Sequence, residues 1–212
     1  MPLFKTIRPN NHTIIYVWKI EASFDELAEN IALTESSEKR LLSMKSELHR
    51  RAYLSVRHLL KEAGYTDFDL YYTQSGKPHL KDGKHISITH SHIFSSIIIS
   101  DAEVGIDIEK NREKIKIIQH KFVNLESGFI NKEDKLVDQL TVIWGAKESL
   151  FKIYPYGGLT FKNDIDIDSF KIADKRTTGW IKAEDWDKKY EIRFEKIEDF
   201  TLVYALDTSK ND

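Results

Sequence analysis

Two carboxylates lie two residues apart in the segment VGIDIEK, Val104 to Lys110, which otherwise has the composition of a buried strand. Side chains alternate along a strand, so Asp107 and Glu109 share one face, while Ile106 and Ile108 share the other. Neighbouring carboxylates repel each other unless a cation or a proton lies between them. Mg²⁺ would compensate the charge, because it takes one or two carboxylates and leaves positions for water and phosphate. The alternative for this motif alone is a solvated acidic strand edge.

A third carboxylate occurs in the segment WGAKESLFK, which has helical periodicity. Glu148 and Lys152 are four residues apart and share a helix face, and Lys147 lies at the shoulder of the same stripe. The pattern predicts one carboxylate and two ammonium groups pointing the same way. The alternative is an ordinary exposed Glu–Lys pair, but the apolar residues Trp144 and Phe151 favour a helix face that is not fully solvated.

Two further motifs carry groups that suit a phosphate or a nucleotide base. In ISITHSH, Thr89 belongs to a row of hydroxyls on one side of the strand, and His90 follows it. In SGKPHL, a tight turn offers the charge of Lys77 and the flat apolar face of Pro78. A polar strand end and a plain turn are the alternatives. The chain has no G-x-S-x-G hydrolase elbow and no glycine-rich phosphate loop.

Composition limits the classes of function. The 212 residues include 41% hydrophobic residues, enough for a substantial core, and the formal charge of −2 gives no electrostatic case for nucleic acid or an anionic membrane. No apolar run approaches the roughly 20 residues that a membrane helix needs. The absence of cysteine suits a reducing compartment. We expect a cytoplasmic protein that binds neither nucleic acid nor membrane.

The helices and strands that must position these groups are predicted from the spacing of apolar residues and from the residues that end helices and strands. A strand is predicted over Thr13–Ile20, and a long helix, capped by Ser36 or Ser37 and ended by Gly64, follows a short one. Short strands lead to VGIDIEK, residues 111–138 have a helix-prone pattern, and QLTVIWGAKESLFKIY predicts a second strong helix. The remaining segments DSFKI, GWIKAEDW, KYEIRFEKI and FTLVYAL read as strands. Each half therefore has one dominant helix and several strands, which predicts two packed α+β lobes, residues 1–101 and 102–212.

In their order along the chain, GKP, SITHS, GIDIE and W-x-x-KES-x-x-K resemble the motifs of the 4'-phosphopantetheinyl transferases. The closer resemblance is to the longer, single-chain type that activates surfactin synthetase and similar enzymes. It implies an α+β fold of two similar lobes related by a pseudo-twofold axis, each with one long helix on a small, mostly antiparallel sheet. It also implies Mg²⁺-dependent transfer of 4'-phosphopantetheine from coenzyme A, bound between the lobes, to a serine of an apo acyl or peptidyl carrier protein.

The resemblance assigns roles to individual residues. Asp107, Glu109 and Glu148 match the three acidic positions that bind the metal. The resemblance leaves the base open; Glu148 is our first choice, with Glu109, acting directly or through metal-bound water, as the alternative. For coenzyme A it assigns Gly76, Lys77 and Pro78 to the adenine, Thr89 and His90 to a phosphate, Lys147 and Lys152 to the diphosphate, and Arg51 to the 3'-phosphate. Arg50 competes with Arg51, and Lys39 and Arg40 are further basic candidates. Thr89 replaces the family's usual serine but keeps the hydroxyl.

The expected partner is acidic around its serine, so its docking surface should be basic with an apolar centre. Residues 110–130 supply Lys114, Lys116 and Lys121 beside Ile118, Phe122 and Phe129, and this segment is the predicted docking surface. We expect a monomer, because two lobes in one chain replace a dimer. The alternative functions are a non-catalytic relative that binds coenzyme A or a carrier protein, and a Mg²⁺-dependent pyrophosphatase.

Overall fold

The structure is a computed structural model that describes residues 3–130, 135–184 and 186–207. It confirms the predicted α+β class, with antiparallel sheets and several helices. The chain divides into two compact units, residues 1–101 and 102–212. Among the described helices, none has both the length and the apolar character needed to cross a membrane.

The first unit is built on a four-stranded antiparallel sheet. Its strands are β1 (Leu3–Asn10), β2 (Thr13–Lys19), β5 (His85–Ser91) and β6 (Phe94–Ser100), in the order β1-β2-β6-β5. Two short strands, β3 (Leu70–Tyr72) and β4 (Pro78–Leu80), form a separate antiparallel ribbon. The helices are α1 (Phe24–Ala28), α2 (Glu35–Ser43) and α3 (Glu47–Glu62), and a 3-10 turn spans Asp67–Asp69. Helix α3 packs on β2 and β6 through its leucines.

The predicted single long helix is wrong, because it is interrupted between α2 and α3. Met44 leaves the helical conformation (ψ 121°), and the Ser46 side chain accepts a hydrogen bond from the His49 N–H to cap α3. Helix α2 is capped by Thr34, not by Ser36 or Ser37. The continuous apolar periodicity concealed this break, because a serine in a leucine-rich helix pattern is a weak boundary signal. The end at Gly64 agrees with the structure, where α3 ends at Glu62 and Gly64 has a φ of +83°.

The second unit places one long helix on a five-stranded antiparallel sheet. Its strands are β7 (Val104–Lys110), β8 (Ile165–Ile167), β9 (Arg176–Ala183), β10 (Trp186–Ile197) and β11 (Phe200–Asp207), in the order β7-β11-β10-β9-β8. The helices are α4 (Ile115–Ile118) and α5 (Leu136–Ile153), with 3-10 turns at Gln119–Lys121, Leu125–Gly128 and Ile172–Asp174. Helix α5 packs on β7 and β11 and contributes Leu140, Ile143, Ala146 and Leu150 to the buried core.

Two predictions for this unit fail in detail. Residues 111–130 form one short helix and two 3-10 turns in place of a longer helix, and residues 131–134 of the predicted segment lie outside the described part. The segment DSFKI is not a strand; β8 ends just before it, at Ile167. Both segments are short and mix charged with apolar residues, so local periodicity does not decide their structure.

Candidate active site

The carboxylate strand β7 is held unusually close to helix α5. A Cβ atom built on Gly105 would lie 1.9 Å from the carbonyl oxygen of Ser149, so only glycine allows the strand to approach the helix backbone there. On the helix side, a Cβ on Gly145 would lie 2.7 Å from Val203 Cγ2 of β11. The Ser149 hydroxyl donates to the carbonyl oxygens of Gly145 (2.7 Å) and Val203 (3.2 Å). Small residues on both elements therefore fix α5 directly over β7 and β11.

Asp107 faces this helix and pairs with Lys152. Its side chain is 7% exposed, and Lys152 Nζ donates to Asp107 Oδ1 at 2.9 Å and to the carbonyl oxygen of Ile106 at 2.8 Å. The register of β7 with β11 is regular through this region, so Glu109 lies on the same face as Asp107. The structure thus brings Asp107 and Lys152 together on the side of β7 that meets α5.

Glu148 completes the acidic cluster. Burial first, and then the negative charges of Asp107 and Glu109, raise the pKa of its carboxyl from an ordinary value of 4.5 to about 7, against the opposing effect of Lys152. Trp144 and Phe151, one turn before and after Glu148 on its helix face, both contact the ring of Phe161, with centroids 5.2 and 5.4 Å apart. Asp107, Glu109 and Lys152 are therefore near enough to Glu148 to change the pKa of its carboxyl.

The donor set fits a divalent cation by its chemistry. Three carboxylates with one ammonium carry a net charge of −2 when all are ionised, and carboxylate oxygens are the ligands that Mg²⁺ prefers. In the part of the chain that the structure describes, no three such side chains are already arranged as a metal site. Asp107 is instead turned toward Lys152. Metal binding by Asp107, Glu109 and Glu148 therefore stays a prediction, supported by charge and ligand type.

Lys147 does not point toward this cluster, so the predicted joint orientation of both lysines is wrong. Its side chain is fully buried, and Nζ contacts Glu126 Oε1 at 2.7 Å and the carbonyl oxygen of Phe161 at 2.8 Å. Glu126 also accepts hydrogen bonds from the N–H groups of Asn124 and Ile167. One residue corresponds to about 100° around a helix, which turns Lys147 away from Glu148 and into the core. Burial lowers the pKa of its ammonium, while Glu126 acts in the opposite direction.

The predicted coenzyme A residues of the first unit lie on α3, on the ribbon and on β5. Arg51 donates from a terminal guanidinium nitrogen to the carbonyl oxygen of Ile20 at 3.0 Å, and the Arg50 guanidinium lies 3.9 Å from the ring centroid of Phe24. The two arginines thus have different surroundings, a backbone carbonyl and an aromatic face. Arg40 on α2 is exposed and lies 5.4 Å from the ring centroid of Tyr72. A 3'-phosphate contact by Arg51, or by Arg50 in its place, stays a prediction.

The turn and strand motifs have the predicted local structure. Gly76 has a φ of +83° in the β3–β4 turn, which explains the glycine, and Lys77 and Pro78 are half-buried where β4 begins. On β5, Thr89 is 5% exposed while His90 is exposed, and alternation directs their side chains to opposite sides of the strand. A phosphate contact by both residues is therefore still a prediction.

Sequence reasoning missed three residues that build the site. Gly105 and Gly145 had a recognisable signal, since an isolated glycine inside a strand or helix pattern indicates close backbone approach. Glu126 had none, because a single glutamate in a polar turn segment looks like any solvated residue until its buried partner Lys147 is known.

Comparison with protein-family models gives a match over residues 103–205 to ACPS, the 4'-phosphopantetheinyl transferase superfamily. The matched segment includes β7, α5 and the whole acidic cluster. Residues 103–205 therefore belong to the 4'-phosphopantetheinyl transferase superfamily. The comparison with curated proteins gives no match.

Proposed function

We propose that this protein transfers 4'-phosphopantetheine from coenzyme A to a serine hydroxyl of an apo acyl or peptidyl carrier protein. The products are the holo-carrier protein and adenosine 3',5'-bisphosphate, as for a holo-acyl-carrier-protein synthase of the longer, single-chain type. The observation that carries the proposal is Glu148, a carboxyl with a pKa of about 7 beside Asp107, Glu109 and Lys152 in a segment of this superfamily. In the metal-free protein, a carboxyl with this pKa is partly ionised near neutral pH and can accept a proton.

The reaction forms a bond between the serine oxygen and the phosphorus that carries the pantetheine arm. The bond from that phosphorus to the oxygen of the adenosine bisphosphate breaks, and the leaving group keeps the electron pair. In this proposal the Glu148 carboxylate accepts the serine proton, with Glu109 as the alternative acceptor. The Lys152 ammonium provides positive charge near the developing negative charge of the phosphates.

Asp107, Glu109 and Glu148 are the residues that would hold a divalent cation, proposed to be Mg²⁺. When bound, the cation would neutralise the diphosphate and the carboxylates. Asp107 then has two roles within the chain: it orients Lys152 through their 2.9 Å contact and provides a buried carboxylate oxygen. Lys147 is not included in the phosphate contacts, because its ammonium is fully buried against Glu126.

The proposed carrier-docking surface is the segment 113–125. Phe122 is fully buried and Ile118 and Phe129 pack on the core, so these three cannot form the apolar centre that the sequence predicts. Ile117 and Leu125 are the exposed apolar residues, at 70% and 67%. Lys114 and Lys121 are exposed, and Lys116 pairs with Glu113 at 2.6 Å. We place Ile117 and Leu125 at the centre, because an acidic carrier is best met by apolar residues with lysines around them.

Charge reversal tests this surface. Lys116→Glu with Lys121→Glu should raise KM for the carrier protein, because both changes repel an acidic partner, and should leave KM for coenzyme A unchanged. Lys171→Glu with Lys189→Glu, at two exposed lysines outside this segment, is the matched control with an equal change of charge. Equal KM values for the carrier in the double variant and the control would rule out this docking surface.

The activity itself is tested by incubating the purified protein with coenzyme A, Mg²⁺ and a panel of apo-carrier proteins. Transfer appears as a mass gain of one phosphopantetheine group on the carrier. Tight coenzyme A binding without any mass gain would favour the non-catalytic alternative, and cleavage of coenzyme A without a carrier would favour a pyrophosphatase. We further propose that the protein is a monomer in the cytoplasm. The lack of cysteine supports a reducing compartment.

A further inference from the structure

A buried ion pair lies between the proposed docking segment and the helix that carries Glu148. Lys147 Nζ on α5 and Glu126 Oε1, in the 3-10 turn Leu125–Gly128, are 2.7 Å apart, and both side chains are fully buried. Lys147 Nζ also donates to the carbonyl oxygen of Phe161 at 2.8 Å. The proposed transfer chemistry does not use this pair, so its presence in the core needs a separate explanation.

Stability alone does not explain the pair. Moving an ammonium and a carboxylate out of water costs free energy that their attraction often does not recover, and apolar side chains of similar volume commonly hold two elements together at least as well. What an ion pair adds is direction, because its hydrogen bonds form only over a narrow range of distances and angles. The pair is therefore suited to fixing the position of the turn relative to α5.

The Glu126 carboxylate joins the turn to both α5 and β8. Its Oε1 contacts Lys147 Nζ on the helix and accepts from the N–H group of Ile167 on the strand at 3.2 Å. Its Oε2 accepts from the N–H group of Asn124 at 2.9 Å, on the other side of Leu125. Leu125 is 67% exposed, so packing of its own side chain does little to hold it. Its position is therefore set by its two neighbours, Asn124 and Glu126.

Ile117, the other apolar residue at the centre of the docking surface, is held by different contacts. It lies on α4, where its neighbours Ile115 and Ile118 pack on the core of the unit. Phe122, which follows α4, is fully buried in the same core. These contacts are apolar. Loss of the ion pair should therefore displace Leu125 and leave Ile117 in place.

We propose that Lys147 and Glu126 are positioning residues that hold Leu125 where the carrier protein docks. The inference rests on the proposed function and its docking segment 113–125, and it gives the buried pair a role in carrier recognition. Both residues act through the turn, which they fix relative to the helix that carries Glu148. A carrier bound at Leu125 then presents its serine to that carboxylate in a defined position.

The test asks whether Leu125 loses its contribution when the pair is removed. In the wild-type protein, Leu125→Ala should raise KM for the apo-carrier about fivefold, as for a residue at the centre of an interface. Lys147→Met with Glu126→Leu replaces the pair by apolar side chains, a change that often preserves a fold. This double variant should itself raise KM for the carrier about fivefold, and adding Leu125→Ala should then raise it by less than about twofold, because the two changes remove the same contact.

Two comparisons separate positioning from general destabilisation. Ile117→Ala is the matched control and should raise KM for the carrier by the same factor in the wild type and in the double variant. KM for coenzyme A should stay unchanged throughout. A double variant that was only less stable would contain fewer folded molecules, which would lower kcat and leave both KM values as they are.

Amide hydrogen exchange measures the positioning without any carrier. Peptides covering residues 124–130 should exchange about tenfold faster in the double variant than in the wild type, because the turn then opens more easily. Peptides covering residues 115–121 should exchange at the wild-type rate. Equal acceleration of both regions would indicate general loosening and would overturn the specific role of the pair.

The outcomes also separate this inference from the proposed function. A wild-type protein that modifies no carrier would defeat the proposed function, and hydrogen exchange would still decide whether the pair holds the turn. In an active protein, a factor for Leu125→Ala that is the same within about twofold in both backgrounds would overturn the inference alone. If the double variant does not fold, Lys147→Met with Glu126→Gln takes its place, since the glutamine oxygen still accepts from a backbone N–H group while the contact with α5 is lost.

Discussion

Replacing Glu148 with glutamine should stabilise the protein and abolish its activity. Burial and the charges of Asp107 and Glu109 raise the pKa of the Glu148 carboxyl to about 7, whereas the unfolded chain has the ordinary value of 4.5. The folded state therefore binds this proton more tightly than the unfolded state. The wild-type protein loses stability as the pH rises from about 4.5 to about 7, because the folded state must then hold a carboxylate in an unfavourable place.

The size of the effect follows from the two pKa values. One pKa unit corresponds to about 1.4 kcal/mol, so the shift of Glu148 is equivalent to about 3 kcal/mol when the carboxyl is fully ionised. At pH 5 most of this penalty is absent, because the folded protein keeps the proton. The glutamine side chain does not titrate. The stability of Glu148→Gln relative to wild type should therefore increase by about 2–3 kcal/mol between pH 5 and pH 8.

Urea unfolding of both proteins at several pH values, with a chelator present to remove metal, measures this difference. Glu184→Gln, at an exposed position in the β9–β10 turn, is the matched control and should follow the wild type. A difference between Glu148→Gln and wild type that stays constant within about 0.5 kcal/mol from pH 5 to pH 8 would refute the electrostatic reasoning. Loss of transfer activity together with the gain in stability would show that Glu148 is kept for function at a cost to the fold.

Three further predictions concern the same unit. Asp107→Ala should abolish transfer while the protein still unfolds cooperatively, and full activity in this variant would exclude a metal-binding role for Asp107. Lys147→Met should destabilise the fold by about 3–5 kcal/mol, because Glu126 is left buried without its partner, and adding Glu126→Gln should recover much of that loss in urea unfolding. Gly105→Ala should cost about 1–3 kcal/mol or more and lower transfer, since the new Cβ would collide with the Ser149 carbonyl oxygen; an unchanged thermal midpoint would contradict the close approach.

The part of the site that lies on regular elements could be predicted from sequence. Alternation along VGIDIEK placed Asp107 and Glu109 on one face, and helical spacing placed Glu148 and Lys152 on one face; the structure agrees with both. These predictions depend only on local periodicity, which a regular strand or helix keeps. The bounds of β7, Val104–Lys110, coincide with VGIDIEK for the same reason.

Features that depend on tertiary contacts could not be predicted. Lys147 is one position from Glu148, and its orientation was decided by a buried carboxylate twenty-one residues earlier in the chain, Glu126. The apolar residues of segment 113–125 could not be divided into exposed and buried ones without the helix and turns that form there, so Phe122 was misassigned to the surface. The break between α2 and α3 was not predictable either, since a serine can continue a helix or cap a new one, and Ser46 caps α3.

The account is tested most directly by the mass of an apo-carrier protein after incubation with coenzyme A and Mg²⁺, in parallel reactions with the wild-type protein and with Asp107→Ala. The predicted result is a mass gain of one phosphopantetheine group with the wild type and none with the variant. Equal mass gain with both proteins would contradict the role of the acidic cluster. No mass gain on any carrier, with coenzyme A still bound, would contradict the proposed transferase activity.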